Sequence, residues 1–446
     1  MIRRHGSADH AIHQAVHPLA HSILVSARRA LVLATLFIAA LAIRLWALGS
    51  RGYGADIDGL QLWAEGMARY GPLDFYARTG LATGANYPAL LYPLWALASV
   101  VHGDALHTAI KALSIPFDLA LGGLLFWVIQ RSASFGRGLF GAALYLLDPA
   151  TVIAGPYWGQ VDAVGTFLLV AALVSLASRR AALAGGLATL ALLVKPQFGI
   201  GGLVIAVVLG AEGLCRGDWR SAARAAGAAV AAYAVVAAPL RLTPGALIEI
   251  VHRTADAWPW TSLYALNPWG VVLGYFKPDG PYLVAGLLLL GAGLLLSLVP
   301  LIRRRDLAAI LAAGGLMALA FYFLPTRVHE RYLFPALALL APFAATRVRL
   351  LIPYLVLCLC FTAGLVWVLA DQGASTGVQL PREITTTLFA VPAGLNAIAF
   401  VLMASAVAIV VLLLRSELYL APDSVLPKLR SHPQHERIVV ESVPPA

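Results

Sequence analysis

Apolar runs of about 20 residues recur along almost the whole chain, and they restrict its fold more than any other feature. A helix needs roughly 20 apolar residues to cross the ~30 Å hydrocarbon core of a bilayer, and there it satisfies all of its own backbone hydrogen bonds. We therefore predict an all-α polytopic membrane protein with about twelve transmembrane helices, within limits of ten to thirteen. The predicted spans cover residues 30–49, 109–130, 138–156, 161–178, 182–194, 197–211, 222–240, 282–302, 306–325, 332–346, 351–370 and 394–414.

The composition fits a membrane protein and argues against other classes. Hydrophobic residues make up 60 % of the 446 residues and charged residues only 12 %, which is unlike a soluble domain. The formal net charge of +10 does not indicate nucleic-acid binding, because most of the excess lies in loops predicted to face the cytoplasm. The three cysteines lie in or beside predicted spans, so they do not indicate a disulfide framework.

Arginine and lysine residues set the predicted orientation. With a cytoplasmic N-terminus, the inner segments hold 20 of the 32 Lys and Arg residues, and Arg303–Arg305 mark the inner face most strongly. The excess of Arg over Lys fits a bacterial genome, so we expect a bacterial inner (plasma) membrane with both termini cytoplasmic. The predicted division is a cytoplasmic N-terminal segment (1–29), a transmembrane region with the site (30–345), C-terminal transmembrane helices (346–415) and a disordered cytoplasmic tail (416–446).

Three apolar stretches do not have the pattern of ordinary spans. Residues 88–101 are only 14 long and contain Pro88 and Pro93, so we predict a short helix inside a long first outer loop, 50–108. Counting them as a span would place the arginine clusters outside. Residues 182–194 and 197–211 are short and flank Lys195, which predicts a hairpin that does not fully cross. The N-terminal segment carries four histidines at helical spacing, for which an interfacial helix or a disordered tail is favoured over a metal site.

Unusual polar residues fall on one side of the predicted membrane. They lie at or next to the outer ends of spans: Asp56, Asp58, Asp162, Lys195, Asn267, Arg327, His329, Glu330 and Arg331. Charges near a bilayer core cost several kcal/mol, so such residues are usually functional. A one-sided group indicates an enzyme at the outer face more than a pore lined along its whole length.

Three acids are candidates for proton transfer. Asp56 and Asp58 precede an amphipathic stretch at 60–70, and either can cap that helix or remove a proton from an acceptor hydroxyl. Asp162 is close in sequence to Trp158 and Gln160 and begins an apolar helix. It too can either cap its helix or take part in the reaction.

Basic residues are candidates for binding an anion. Lys195 either snorkels to the interface or binds an anionic lipid headgroup. Arg327 and Arg331 suit phosphate oxygens, while His329 can bind or protonate phosphate and Glu330 can hold an arginine in place. The alternative for this segment is a purely structural cluster of ion pairs. Asn267 and Trp269 lie in a loop with further tryptophans. An amide and aromatic rings can bind a sugar, but aromatic residues are also common at a membrane interface.

An ordered set of short motifs then resembles one family. It includes Asp56 with Trp63 seven residues on, Tyr87-Pro88, WGQVD at 158–162, KPQ at 195–197, NPW at 267–269 and RVHERY at 327–332. The set resembles the GT-C superfamily of polyprenyl-phosphate-sugar-dependent glycosyltransferases, most of all the bacterial mannosyltransferase-type members, over roughly residues 30–345. No Walker, Rossmann or zinc motif is visible, and nucleotide sugars are not available outside the cytoplasm, which favours a lipid-linked donor.

The resemblance implies a fold, a reaction and roles for residues. It implies a GT-C-type bundle and inverting transfer of a hexose, mannose above all, to an acceptor hydroxyl on a glycolipid, polysaccharide or protein. Asp56 would be the general base, with Asp58 as the fallback, and Lys195 and residues 327–331 would hold the lipid phosphate. Asp162 matches an acid that helps to bind metal in one branch, but many relatives need no metal, so no cofactor is required and a divalent metal remains an option. Relatives often have an acid where this chain has Asn86.

A transporter or flippase of lipid-linked sugars is the main alternative. Such proteins need polar groups near the bilayer midplane and access from both sides. The predicted spans between Tyr282 and Ala345 carry almost no such charges, which favours the enzyme. A structural scaffold would explain the spans but not the clustered charges at 327–331.

Overall fold

A computed structural model describes residues 6–80 and 84–419 of the chain, with side chains described for 25–80 and 84–415. The histidines of the N-terminal segment and the predicted tail after residue 419 therefore lie outside what can be compared. The described residues form helices and contain no β-strand, only isolated bridges such as that between Leu263 and His329. The prediction of an all-α protein is confirmed for this part of the chain.

The helices follow one another closely along the chain. The first half contains α1 (Gly6–Ala47), α2 (Gly54–Thr79), α3 (Leu91–Ala98), α4 (Gly103–Ala112), α5 (Ser114–Ser132), α6 (Phe135–Leu146), α7 (Pro149–Val152), α8 (Asp162–Ala177), α9 (Ala181–Val194) and α10 (Ile200–Arg216). The second half contains α11 (Trp219–Ala237), α12 (Pro244–Asp256), α13 (Pro268–Leu273), α14 (Leu283–Ser297), α15 (Val299–Arg303), α16 (Leu307–Phe323), α17 (Phe334–Thr346), α18 (Val348–Asp371), α19 (Gly373–Thr376), α20 (Arg382–Thr386) and α21 (Ala393–Tyr419).

Several helices are long and apolar enough to cross a membrane. In the described residues there are six, or seven if the pair 135–146 and 149–157, bent by 49°, is one span. The six are Val25–Ala47, Gly103–Ser132, Pro196–Arg216, Leu283–Arg303, Val348–Asp371 and Ala393–Arg415. The chain is thus a multi-pass helical protein of membrane type, and the predicted number of twelve spans is not confirmed by length and composition.

The structure confirms the predicted shortness of two of the three stretches and not of the third. A 3₁₀ turn, Pro88–Leu90, leads into α3, and together their 3 and 8 residues reach roughly 18 Å, well short of the ~30 Å core. Helix α9 is also short and ends at Lys195, as predicted. The second arm of the predicted hairpin is longer than expected, because α10 continues past residue 211 and ends only where Gly217 adopts φ +68°. Glycine tolerates this left-handed conformation and so ends the helix there.

The core is formed by helices that are apolar on all sides. Nearly every residue of α16 and of α17 is buried, as expected for helices surrounded by other helices. By contrast, α14 exposes large apolar side chains such as Leu288, which is the pattern of a helix facing lipid.

A buried polar network ties the N-terminal helices together, and the sequence did not predict it. Arg44 of α1 pairs with Asp118 of α5 at 2.9 Å, and both side chains are 0 % exposed. The arginine also donates to Leu146 O at 2.9 Å and to the Thr151 hydroxyl at 3.2 Å. Tyr145 donates to the other Asp118 oxygen at 2.5 Å. All partners are hydrogen-bonded, so the network holds α1 and α5 against the α6–α7 junction.

A second set of bonds fixes the segment that follows α1. Lys111 donates to Leu48 O at 3.0 Å and to the Ser50 hydroxyl at 2.7 Å. Ser50 in turn donates to Tyr157 O at 2.6 Å. These bonds place the start of the first loop next to residues 157–161.

Candidate functional site

Asp56 lies in the first turn of α2 and points into the protein rather than capping its own helix. The residue at the N-cap is Tyr53, whose side chain makes no cap hydrogen bond. Asp56 Oδ2 accepts a hydrogen bond from the Trp158 indole N–H at 2.7 Å, and Oδ1 lies 3.3 Å from Arg331 Nη2. Asp58, two residues on, is exposed and makes none of these contacts. The structure therefore separates the two acids and brings only Asp56 into the cluster.

Trp158 reaches Asp56 because of a backbone that only glycine allows. The segment 153–157 is a bent π-helical turn, and Gly159 follows Trp158 with φ +99°. A Cβ at Gly159 would lie 2.5 Å from Ile57 Cγ1, so the loop can rest directly on α2. Tyr53 N donates to Trp158 O at 2.9 Å, and the two rings lie 4.8 Å apart.

Lys195 is completely buried and is held by two neighbours from one loop. Its ammonium donates to Asp162 Oδ1 and to Gln160 Oε1, both at 2.7 Å, and lies 5.2 Å from the centre of the Tyr87 ring. A lysine with 0 % side-chain exposure does not snorkel to an interface, so that alternative is excluded. Asp162 is not the cap of α8 either, because Val161 occupies the N-cap position.

The segment 327–331 divides between two places. Arg327 adopts φ +63° and pairs with Asp279 at 2.8 Å and with Asp256 at 2.9 Å. It ties the loop after α12 to the start of this segment. Because its guanidinium is occupied by two carboxylates, we leave Arg327 out of the phosphate clamp that the sequence predicted.

Glu330 and Arg331 belong to the cluster around Asp56. Arg331 Nη1 donates to Glu330 Oε1 at 2.6 Å, and both residues are buried. Arg331 Nε is buried and has no hydrogen-bond partner among the described residues. An unpaired donor on a buried guanidinium is costly, and it is available to an anion.

His329 lies beside this cluster between two aromatic rings. Its ring centre is 5.9 Å from that of Trp258 and 5.2 Å from that of Tyr332. Burial, with a further contribution from the charge of Arg331, lowers the pKa of His329 to about 3. At neutral pH the imidazole is uncharged, so it can accept or donate one hydrogen bond but does not supply a positive charge.

Asn267 and Trp269 have structural roles in a separate part of the loop. Asn267 caps α13 by accepting from Gly270 N at 3.0 Å. Trp269 donates to Leu324 O at 2.8 Å. The structure does not bring either residue into contact with Asp56, Lys195 or Arg331.

The cluster balances three carboxyl groups against two cations. Burial favours the protonated form of Asp56, but the positive charge of Arg331 and the Trp158 hydrogen bond outweigh it and lower its pKa. Burial raises the pKa of Glu330, although Arg331 opposes this effect. Asp56 is therefore ionised at neutral pH, and Glu330 takes up a proton more readily than Asp56 does.

Buried polar atoms around the cluster still lack partners. Besides Arg331 Nε, Asp162 Oδ2 is buried without a hydrogen bond among the described residues. Those residues contain no group of three or more His, Cys, Asp or Glu side chains placed to hold a metal ion. The arrangement can accept a proton at Asp56 and stabilise a negative charge between Lys195 and Arg331.

Tyr53 is a neighbour of the cluster that the sequence analysis did not single out. Burial raises the pKa of its phenol to about 12, with further contributions from the charges of Glu330 and Asp56. Its position three residues before Asp56, in a Gly-Tyr-Gly sequence, was the available signal.

Fold and site together define a multi-pass helical membrane-type protein with a buried cluster of acids and bases where several helix ends meet. Neither models of known protein families nor curated proteins give a match to this chain. The geometry of the cluster therefore carries the functional argument.

Proposed function

We propose that the protein is a glycosyltransferase that moves a hexose, mannose above all, from a polyprenyl-phosphate-linked donor to an acceptor hydroxyl at the outer face of a bacterial inner membrane. The proposal rests on one observation. Asp56, an ionised carboxylate, shares a buried cluster with Arg331 and lies near Lys195, the two cations able to meet a phosphate. The resemblance to the GT-C superfamily points to the same reaction.

The donor phosphate would be held by the two cations. Arg331 offers its unpaired Nε, and Lys195 is fixed by Asp162 and Gln160 with its ammonium against Tyr87. An arginine binds phosphate oxygens through charge-assisted hydrogen bonds, and a buried site strengthens them. A phosphate at Arg331 would also compete with Asp56 for the guanidinium, which would raise the basicity of Asp56 when the donor is bound.

The chemical step would use Asp56 as the base. The acceptor hydroxyl oxygen forms a bond to the anomeric carbon while the bond from that carbon to the phosphate oxygen breaks. The hydroxyl proton passes to Asp56, and polyprenyl phosphate leaves as an anion stabilised by Lys195 and Arg331. A carboxylate of low pKa suffices because the hydroxyl becomes acidic only as the new bond forms. Attack from the face opposite the phosphate inverts the anomeric centre.

The full twelve-span bundle is part of the proposal. Helices α8, α9, α11, α16 and α17, and the bent pair 135–146 and 149–157, would join the six longer apolar helices as spans, with α2 and α3 in the first outer loop. On this topology the N-terminus of α2, the 158–162 loop and the 327–331 segment all face outward. Arg303–Arg305 then lie at the inner face, where the positive-inside rule places clusters of arginine.

The transporter alternative receives less support from the contacts. A transport path needs polar groups that can exchange partners as the site opens to either side. The Arg44–Asp118 network lies among the N-terminal helices, and its members are buried and paired. The cluster around Asp56 instead places a proton acceptor and the proposed phosphate-binding cations together, at one end of the helix bundle.

The direct test is sugar transfer by the purified protein in nanodiscs from a panel of polyprenyl-phosphate sugars, read as release of polyprenyl phosphate. Arg331→Gln should weaken donor binding by about tenfold or more, since it removes charge-assisted hydrogen bonds. Arg253→Gln, which removes an exposed arginine of α12, is the matched control. Adding and chelating Mg²⁺ in the same assay decides whether a divalent metal takes part. Absence of release from every donor, with membrane extract supplied as acceptor, would overturn the proposal.

A further inference from the structure

Beside the cluster lies a second group of polar and aromatic side chains at the C-terminal end of α18. Tyr264 donates to Asp371 Oδ2 at 2.5 Å. Gln372 donates to the same carboxylate oxygen at 3.1 Å and to the Tyr264 hydroxyl at 2.8 Å. The Tyr264 ring is held edge-on by Phe276 at 4.6 Å and by Trp367 at 5.0 Å. The trio Tyr264, Asp371 and Gln372 is therefore a built and oriented polar surface.

This trio is joined to the Asp56 cluster from two sides. Leu263, which precedes Tyr264, accepts a hydrogen bond from Glu330 N at 3.1 Å, and Glu330 pairs with Arg331. On the other side, the segment after α18 packs on the start of the first loop, because a Cβ at Gly377 would lie 3.1 Å from Arg51 Cδ. Tyr53, two residues after Arg51, stacks on Trp158, the residue that donates to Asp56.

Charge effects agree with this placement. Burial is the largest cause of the raised pKa of Tyr53, and the carboxylates of both Asp56 and Asp371 add to it. Tyr53 is therefore close enough to both acids to feel their charges. No hydrogen bond to a described residue acts on its hydroxyl, so it can serve as a donor to a ligand.

The trio keeps free capacity on its open side. Asp371 is exposed, and its Oδ1 accepts no hydrogen bond within the described part of the chain. The side-chain amide oxygen of Gln372, Oε1, is likewise without a donor there. A carboxylate oxygen and an amide oxygen side by side, with a tyrosine hydroxyl opposite, match the adjacent hydroxyl groups of a sugar ring. The hydroxyl of a serine or threonine would use only one of these groups.

We propose that Tyr53, Tyr264, Asp371 and Gln372 form an acceptor subsite for a carbohydrate, so that the acceptor is a glycan or the sugar headgroup of a glycolipid rather than a protein side chain. This inference rests on the proposed transferase function for the identity of the ligand as acceptor. The sugar ring would lie against Tyr53 and Tyr264, with two of its hydroxyls on Asp371 and Gln372 and a third directed at Asp56.

Binding can be measured without any donor, which separates this inference from the proposed reaction. The protein is placed in nanodiscs free of sugar detergents and examined by saturation-transfer difference NMR. The probes are methyl glycosides of mannose, glucose and galactose, mannobiose, and a peptide rich in serine and threonine. We expect at least one carbohydrate probe to bind and the peptide not to bind. Asp371→Asn should weaken that binding by about tenfold and Gln372→Ala by about threefold. Glu383→Gln, which alters an exposed acid twelve residues after Asp371, should leave it unchanged.

The outcomes distinguish the two proposals. Carbohydrate binding that depends on Asp371, in a protein that transfers no sugar from any donor, would keep the subsite and remove the transferase function. Sugar transfer with the same acceptor KM in the wild type and in Asp371→Asn would keep the transferase and overturn the subsite. Binding of the peptide alone, or of no probe at all, would also overturn it.

Discussion

A carboxylate that serves as a base must be ionised and must face the bound substrate, and the surroundings of Asp56 provide the first condition. Burial alone would favour its protonated form, and Arg331 and Trp158 reverse this preference. Trp158 is the more permanent of the two partners, because a bound phosphate would compete only for Arg331. The indole N–H is thus the group expected to orient Asp56 throughout the reaction.

Replacing Trp158 with Phe tests this role through the pH dependence of sugar transfer. Activity that needs ionised Asp56 falls as the pH drops through the pKa of that residue. The Trp158 hydrogen bond lowers this pKa, so Trp158→Phe should move the acidic limb of kcat/KM to higher pH. Trp219→Phe, at an exposed tryptophan, should leave the limb in place. An unchanged profile in Trp158→Phe would remove Trp158 from the account.

At this scale the sequence predicted the members of the site better than their partners. Asp56, Lys195 and Arg331 could be chosen because charges at the ends of apolar helices are costly to retain. The separation of Arg327 from Arg331 could not be predicted, since it depends on Asp256, at the end of α12, and on Asp279, in the loop before α14. The role proposed for Asp371 could not be predicted either, because a single acid commonly marks the end of a membrane span and gives no sign of a function.

Among the elements, the contact of α1 with α5 depends on a buried ion pair rather than on apolar packing alone. Both Arg44 and Asp118 have 0 % exposure, and the pair lies where the chain turns from α6 into the bent segment that carries Trp158. Such a pair is weak evidence of net stabilisation, but breaking it leaves one charge buried without a partner.

Arg44→Met should therefore destabilise the protein by about 3–5 kcal/mol. The double variant Arg44→Met with Asp118→Leu should regain much of this loss, because no buried charge remains. The thermal unfolding midpoint of the purified protein, measured at one fixed heating rate, reports both changes. Equal destabilisation in the single and the double variant would show that the ion pair itself is not the cause.

Element boundaries were predicted where the chain carries a strong signal. The end of α9 at Lys195 follows from Pro196, which limits helix continuation. The shortness of α3 follows from an apolar run of only 14 residues at 88–101. The extension of α10 to Arg216 was missed, because the apolar run ends before the helix does and the glycine that ends it lies beyond that run.

For the whole molecule, the distribution of positive charges predicts which loops face the cytoplasm, and the helices alone do not. Cys215 is exposed and lies in the last turn of α10, at the end of that helix assigned to the cytoplasm, whereas Cys358 and Cys360 are buried. In intact cells a membrane-impermeant maleimide should not label the wild-type protein, and it should do so after permeabilisation. Ser375→Cys, next to the proposed acceptor subsite, should be labelled in intact cells. Labelling of Cys215 in intact cells would invert the topology.

The all-helical, multi-pass architecture could be predicted from the apolar runs, since a bilayer leaves helices as the simplest solution. The number of spans could not be fixed in the same way. Helices such as α16 and α17 are apolar but short, and their burial on all sides is equally typical of a central membrane helix and of a helix in a protein core.

The central claim is that Asp56 accepts the proton in sugar transfer, and the most direct measurement compares Asp56→Asn with Asp58→Asn under single-donor turnover. Asp58 is a matched control because it lies on the same helix turn and is exposed. The account predicts a loss of about 10²- to 10⁴-fold in kcat for Asp56→Asn, with donor affinity retained, and near-normal turnover for Asp58→Asn. Normal turnover in Asp56→Asn, or an equal loss in both variants, would contradict it.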